Sequence, residues 1–407
     1  MGKTIFTKSI LYTTLKCIYI LVLQVRTIII IQFARLFPIR KDIVVFESNP
    51  DLSDNSYAMF HYLYTHGFQG KYRLCWLIRD KRKIGLFNLK NITYLKAGTV
   101  KEIFMLQRAK FVFFDHSNLL SGVRRKNQVS IALWHGTPIK GPKSNIPKGS
   151  KTWPTYVTAT SELACKFTAQ FCFVPEKIVK PWGYPRNDYL FNLDNIKRER
   201  IAHRFEYNKY NKVILWMPTF RQSFDTFLSE DYMNNETGLP LTNTEKELNE
   251  FNDFLRLHNI LIMLKLHPLQ AKMPIFSKTF SNILIVRNTD LEYLGVQLYE
   301  YLATSDALIT DYSSISTDYL LLNRPIIFTT SDYEDYKHSR GFIVENILDY
   351  LPGPHVNNMS EFQEALRNIT SNNDLYVEKR KEVTKLFHKN PDGNSAKRIA
   401  EKVGITQ

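Results

Sequence analysis

From Asp42 onward, short apolar runs alternate with segments of helical period, and this alternation narrows the possible folds more than any other feature of the chain. DIVVFES (42–48) precedes SYAMFHYLYTH (56–66), YRLCWLI (72–78) and NITYLK (91–96) precede VKEIFMLQRA (100–109), and KFVFFD (110–115) and VSIALW (129–134) follow. Strands alternating with helices build a parallel sheet covered on both faces. The pattern continues through TYVTAT (155–160) and Ile178–Trp182, fades in the polar stretch 192–211, and restarts at KVILWMP (212–218). It then predicts helices over 245–257 and 293–304, strands in ILIMLKLHP (260–268) and NILIVR (282–287), and two terminal helices within 371–404. Two Rossmann-type α/β domains result, 41–195 and 205–385, with a C-terminal helix in 386–407. In such sheets ligands bind beyond the carboxyl ends of the strands, so two domains facing across a cleft would hold a substrate between them.

Residues 1–40 precede this pattern and differ from it. Lys3, Lys8, Lys16, Arg26, Arg35 and Arg40 occur without an acidic residue, and Ile10 to Phe37 is rich in Ile, Leu, Val and Phe. Lys16 and Arg26 interrupt the roughly 18 uncharged residues expected of a spanning helix, and no small-residue cleavage site follows. The segment therefore reads as a membrane-associating helix at an anionic surface, favoured over a span or a helix packed on the body of the protein. The whole chain carries 54 Lys+Arg against 39 Asp+Glu, a net +15, which calls for an acidic partner without choosing among lipid, phosphorylated substrate and nucleic acid. Cys17, Cys75, Cys165 and Cys172 show no metal-ligand spacing, so neither zinc nor a disulfide is expected.

The densest local signal is DALITDYSSISTDYLLLNRPIIF (306–328), a strand, a polar turn, a helix over 315–322 and a further strand. A turn opening a helix at a strand's carboxyl end offers N–H groups and a positive dipole end to an anion. Ser313 and Ser314 add hydroxyls, and Asp311 can cap the helix. Other strands end in comparable residues. WHGTPIK (134–140) brings a histidine able to take a proton near neutrality and a glycine that permits close backbone approach. Lys140, Lys143, Lys148 and Lys151 follow it and could guide a polyanionic acceptor. MPTFR (217–221) supplies Thr219 and the Arg221 fork, and LKLHP (264–268) places Lys265 and His267 on one side of an extended chain. Singly, each could be an ordinary strand end or helix cap. The coincidence of His135, Thr219, His267 and Ser313 at such ends is what points to a site.

With GYPRND (183–188), the D-x-x-x-Y of Asp332 and Tyr336, RGF (340–342) and DGN (392–394), these motifs resemble, in order, the CDP-glycerol:poly(glycerophosphate) glycerophosphotransferases of teichoic-acid and capsule synthesis. The resemblance runs from about Pro38 to the end of the chain. It implies a GT-B fold, a basic N-terminal segment attached peripherally to the cytoplasmic side of the cell membrane, and no resident cofactor, with a soluble Mg²⁺ requirement left open. The implied reaction moves glycerol phosphate from CDP-glycerol, or ribitol phosphate from CDP-ribitol, to a hydroxyl of a lipid-linked saccharide or polyol-phosphate acceptor, releasing CMP. By the same resemblance His135 is the general base, and Gly136, Thr137, Pro138 and Ile139 line the donor site. His267, the second catalytic residue, contacts the pyrophosphate with Lys265 and Leu266. Arg186, Pro218, Thr219, Ser313, Ser314 and Asp318 hold the rest of the CDP-alditol. Two other classes compete. A GT-B sugar transferase would move a sugar from a nucleotide sugar to its acceptor and would not release CMP from a CDP-alditol, and the paired histidines with TDYSS argue against it. A basic membrane-surface or nucleic-acid-binding protein would carry a binding motif, and none is found.

Overall fold

The computed structural model describes residues 2–85, 89–116, 119–141, 153–219 and 235–407, with backbone alone for 2–14. The chain divides into two compact units, one running to Ala132 and a second that begins at Leu133 and takes in nearly all the rest.

In the first unit five strands, β1 (Arg40–Glu47), β2 (Arg73–Ile78), β3 (Thr93–Lys96), β4 (Ala109–Phe114) and β5 (Val129–Ala132), lie in the order β3-β2-β1-β4-β5. All the pairings among them are parallel. Val44, Val45 and Phe46 are buried at the centre, and Phe46 stacks on Phe113 and on Trp76. That continuous apolar run is what a strand covered on both faces requires. Helices Asp54–Thr65 and Val100–Arg108 connect strands of this sheet, the second opened by the Thr99 side chain, which accepts from Glu102 N–H.

The N-terminal helix runs over Gly2–Arg35. Ile30, Ile31 and Ala34 are buried in its last turns, where Ile30 and Ile31 meet Ile103 and Phe33 lies near Phe104. Leu15, Ile18, Tyr19, Leu21, Val22, Val25 and Ile29 remain exposed. By length and composition the 21 residues Leu15–Arg35 are able to cross a membrane. As expected the segment is helical, and it runs unbroken past Lys16 and Arg26, the two charges that leave no 18-residue uncharged run within it.

In the second unit β6 (Tyr156–Thr158) pairs in parallel with β7 (Val179–Lys180). A six-stranded parallel sheet follows: β8 (Lys212–Trp216), β9 (Ile260–Leu264), β10 (Ile283–Ile285), β11 (Ala307–Thr310), β12 (Ile326–Thr329) and β13 (His355–Val356), in the order β10-β9-β8-β11-β12-β13. The chain progresses outward in one direction from β8 and in the other from β11. The switch point, where a Rossmann sheet opens its ligand crevice, therefore lies between these two strands. Trp216, Phe251 and Phe362 form the aromatic centre of its core.

Helix Glu245–Leu257 spans the predicted residues, started by a capping box between Thr244 and Glu247. The helix predicted over 293–304 is instead two, Asn288–Leu294 and Leu298–Leu302, because Gly295 adopts φ 65 and closes the first. The polar stretch 192–211 contains helix Asn195–Arg204, tied down by Lys197 on Glu300 at 2.6 Å and by Arg200 on the Leu294 carbonyl at 3.0 Å. The two terminal helices are Val377–Phe387 and Ser395–Val403.

Candidate active site

Two left-handed residues shape the loop after β5: Trp134 at φ 60 and Gly136 at φ 123. Gly136 has no alternative, since a Cβ there would sit 2.8 Å from Ser314 Oγ and 2.9 Å from Arg186 Nη2. The glycine of HGTPIK thus packs its backbone directly against the DYSS turn. At the far end of the loop Lys140 forms an antiparallel bridge with Phe342, and Gly141 N–H donates to the Gly341 carbonyl at 2.9 Å. The RGF motif is therefore a backbone partner of HGTPIK. Its Phe342 and Tyr336 of D-x-x-x-Y surround Tyr312, with ring centroids 5.0 and 4.8 Å away. These motifs hold the turn in place by packing.

At the switch point, Thr219 donates its N–H to Asp311 Oδ2 at 2.8 Å and its hydroxyl to Asp311 Oδ1 at 2.6 Å. Lys140 Nζ in turn donates to Thr219 Oγ1 at 3.1 Å. Asp311 accordingly joins the ends of β8 and β11 and does not cap the following helix, whose N-cap, Ser314, makes no side-chain capping bond. That helix covers only Ile315–Tyr319 before a 3-10 turn over Leu320–Leu322. Five residues carry little dipole, so attraction for an anion falls to the side chains: the Lys140 ammonium and the hydroxyls of Thr219, Ser313 and Ser314.

A second group centres on Asp318, which is fully buried. Arg186 Nη2 donates to Asp318 Oδ2 at 2.8 Å and to the His135 carbonyl at 3.0 Å, and Asn187 Nδ2 donates to Asp318 Oδ1 at 3.0 Å. Tyr299, which no sequence signal singles out, donates its hydroxyl to Asp318 Oδ2 at 2.5 Å and lies beneath the Arg186 guanidinium. GYPRND, HGTPIK and the helix after DYSS thus meet in one hydrogen-bonded group.

Lys265 and His267 stand at the end of β9, the strand next to β8. The Lys265 ammonium reaches Asn288 Oδ1 at 2.7 Å, and burial lowers its pKa. His267 is exposed, and partial burial together with the neighbouring Lys265 charge lowers its pKa, which favours the neutral imidazole. Other expected site residues have buried side chains. Leu266 belongs to the core of the second unit, Ile139 and Pro138 are covered, Pro218 is buried, and the Thr137 hydroxyl pairs with that of Thr160 at 3.3 Å. What these positions present outward is backbone. Arg221, Lys143, Lys148, Lys151 and the larger part of the 222–243 loop lie outside the described residues. Among the described residues no group of three or more His, Cys, Asp or Glu side chains could hold a metal.

Comparison with known proteins matches residues 29–404 to the family model described as CDP-Glycerol:Poly(glycerophosphate) glycerophosphotransferase. A teichoic acid poly(glycerol phosphate) polymerase of Bacillus spizizenii is 28% identical over 408 residues, covering 92% of this chain and 95% of its own. Two further polymerases of the same description are longer, and the chain spans 45% and 47% of them. A teichoic acid ribitol-phosphate primase of the same Bacillus is 27% identical over 296 residues, 68% of this chain and 70% of the relative. The solved structure of the wall teichoic acid polymerase TagF shares the fold, with TM-score 0.74 and 23% identity over 96% of each chain. The fold is therefore GT-B-like.

Proposed function

Because the chain belongs to the CDP-glycerol:poly(glycerophosphate) glycerophosphotransferase family, we propose that it transfers glycerol phosphate from CDP-glycerol to a hydroxyl of a lipid-linked or polyol-phosphate acceptor in teichoic-acid or capsular polymer synthesis. The observation that carries this reading is the convergence at the switch point. The HGTPIK loop is tied to the β8 end through Lys140 and Thr219, and to the GYPRND and DYSS segments through Arg186 and Gly136. These contacts bring the Lys140 ammonium, the Thr219 and Ser314 hydroxyls and the backbone of His135 and Gly136 together around one loop, which supports a site for an anionic donor.

In the proposed reaction the acceptor oxygen attacks the phosphorus that carries the glycerol. Its proton passes to the His135 imidazole, the new P–O bond forms, and the bond to the bridging oxygen breaks with CMP as leaving group. Neutral His267, beside Lys265, contacts the pyrophosphate with the Leu266 backbone, and Lys265 stabilises charge gathering on the departing CMP. Gly136 to Ile139 line the donor through their backbone. Pro218, Thr219, Ser313 and Ser314 hold the remainder, and Arg186 does so with Asp318 behind it. The helix Leu15–Arg35 attaches the enzyme to the cytoplasmic face of the membrane, where a lipid-linked acceptor would be presented.

Ribitol phosphate is the second reading, supported by the ribitol-phosphate primase among the relatives. The test is CMP release from CDP-glycerol and from CDP-ribitol, each offered separately with a short polyol-phosphate acceptor. Release from one donor identifies the alditol, and release from neither refutes the reading. H135A should abolish turnover and keep donor binding; full turnover in H135A would remove the base assignment.

A further inference from the structure

A buried ion pair keeps one geometry only when its other lone pairs and protons are also engaged. The Arg186–Asp318 pair meets that condition through Asn187, which donates to Asp318 Oδ1 at 3.0 Å, and through Tyr299. Asp318 Oδ2 accepts from Arg186 at 2.8 Å and from the Tyr299 hydroxyl at 2.5 Å. The Tyr299 ring centroid also lies 4.5 Å from the Arg186 guanidinium carbon. Tyr299 therefore contacts the anion with its hydroxyl and the cation with its ring face, and both contacts favour one placement of the guanidinium. Its side chain is buried, so water does not compete for either contact.

The consequence reaches the loop that carries the histidine. The same Nη2 that binds Asp318 donates to the His135 carbonyl at 3.0 Å, and the Gly136 that follows packs so close that a Cβ there would lie 2.9 Å from this Nη2. A shift of the guanidinium moves the backbone from which the imidazole projects, and near-attack geometry tolerates little displacement. We propose that Tyr299 is a positioning residue, which through Asp318 and Arg186 fixes the backbone of His135 for proton transfer. This rests on the assignment of His135 as the base.

The test uses the full-length protein with Y299F, which keeps the ring and removes the hydroxyl, and Y299L, which removes both. Y299F should lower kcat about tenfold, the scale of a lost hydrogen bond to a charged group, with a smaller rise in donor KM, since Arg186 also holds the donor, and only a modest fall in Tm. Y299L should lower kcat further. In the Y299F/D318N double variant the loss should not exceed that of D318N alone, because both act along one route. Histidine-labelled NMR, assigned with H135Q and H267Q, should show the His135 signal displaced in Y299F and that of His267 unmoved. A fall in Tm at wild-type kcat, an additive double variant, or an undisplaced His135 signal would overturn the proposal. If the wild type releases CMP from neither donor, the functional reading fails, and the NMR comparison still decides whether Tyr299 holds His135.

Discussion

At the scale of single residues, Gly136 is the position with least freedom. Its φ of 123 lies in a region that other residues enter at a cost of about 1–3 kcal/mol, and a methyl group would collide with Ser314 and Arg186. G136A should therefore destabilise the protein by at least about that amount in urea unfolding and also raise KM for the donor. A G136A enzyme with native stability and KM would mean that the loop relaxes freely. The pair at the end of β9 gives a second expectation. Burial and the Lys265 cation both hold His267 below its ordinary pKa, so K265M should raise the His267 pKa partway toward about 6.5, followed by NMR titration. Donor affinity should fall in K265M as well, since a cation is lost from the proposed pyrophosphate contact.

Among elements, the C-terminal helix Ser395–Val403 shows how a motif without evident chemistry can serve the site. Asp188 of GYPRND accepts Ser395 N–H at 2.8 Å and Ala396 N–H at 2.9 Å, which makes it the anchor of that helix. Gly393 of DGN lies where a Cβ would be 2.8 Å from Phe191 Cβ, so the terminal helix docks closely behind the segment bearing Arg186 and Asn187. Burial pushes the Asp188 carboxyl up to about 6. Unfolded, it would titrate near 3.9. Between those values the native state holds the extra proton, so this residue's contribution to stability is full below about 3.9 and is lost as pH rises through about 6. The stability of the wild type minus that of D188N should therefore shrink between pH 4 and pH 7 in urea unfolding, and a constant difference would place Asp188 in the ordinary carboxylate range. Elements of this kind mark the limit of what the sequence discloses. The helix Glu245–Leu257 was legible to the residue because Thr244 and Glu247 write its start locally. The strand ends bearing His135, Thr219, His267 and Ser313 were legible from apolar runs closing on polar residues. Asp311 looked like a helix cap because only its neighbours in sequence were visible, whereas its partner Thr219 is 92 residues away. Tyr299 had no signal at all: it lies in an amphipathic run, and its value comes from an aspartate and an arginine that only the sheet order brings to it.

For the whole molecule, the proposal that a chain of net charge +15 attaches to a membrane through its N-terminal helix becomes a quantitative contest. Two forces are available. The exposed Leu21, Val22, Val25 and Ile29 side chains each gain roughly 1.5–3 kcal/mol on full transfer out of water, whatever the lipid charge. Lys and Arg near an anionic surface add about 1 kcal/mol each, and salt screens that part over a Debye length of roughly 8–10 Å. If the helix lies at the interface, the full-length protein should sediment with anionic vesicles, lose part of that binding in high salt, and bind neutral vesicles weakly. If it spans, binding once inserted should resist salt and alkaline extraction and depend little on lipid charge. L21E/V25E separates either case from an electrostatic patch elsewhere on the protein. Both positions are exposed, so the double variant should keep the Tm of the wild type while losing vesicle binding. Substituting Ile30 and Ile31 should instead lower Tm, because those residues pack against Ile103 in the body of the first unit. Vesicle binding that survives L21E/V25E would transfer the attachment from the helix to the basic surface of the folded domains, and the lipid-facing role of the segment would fall with it.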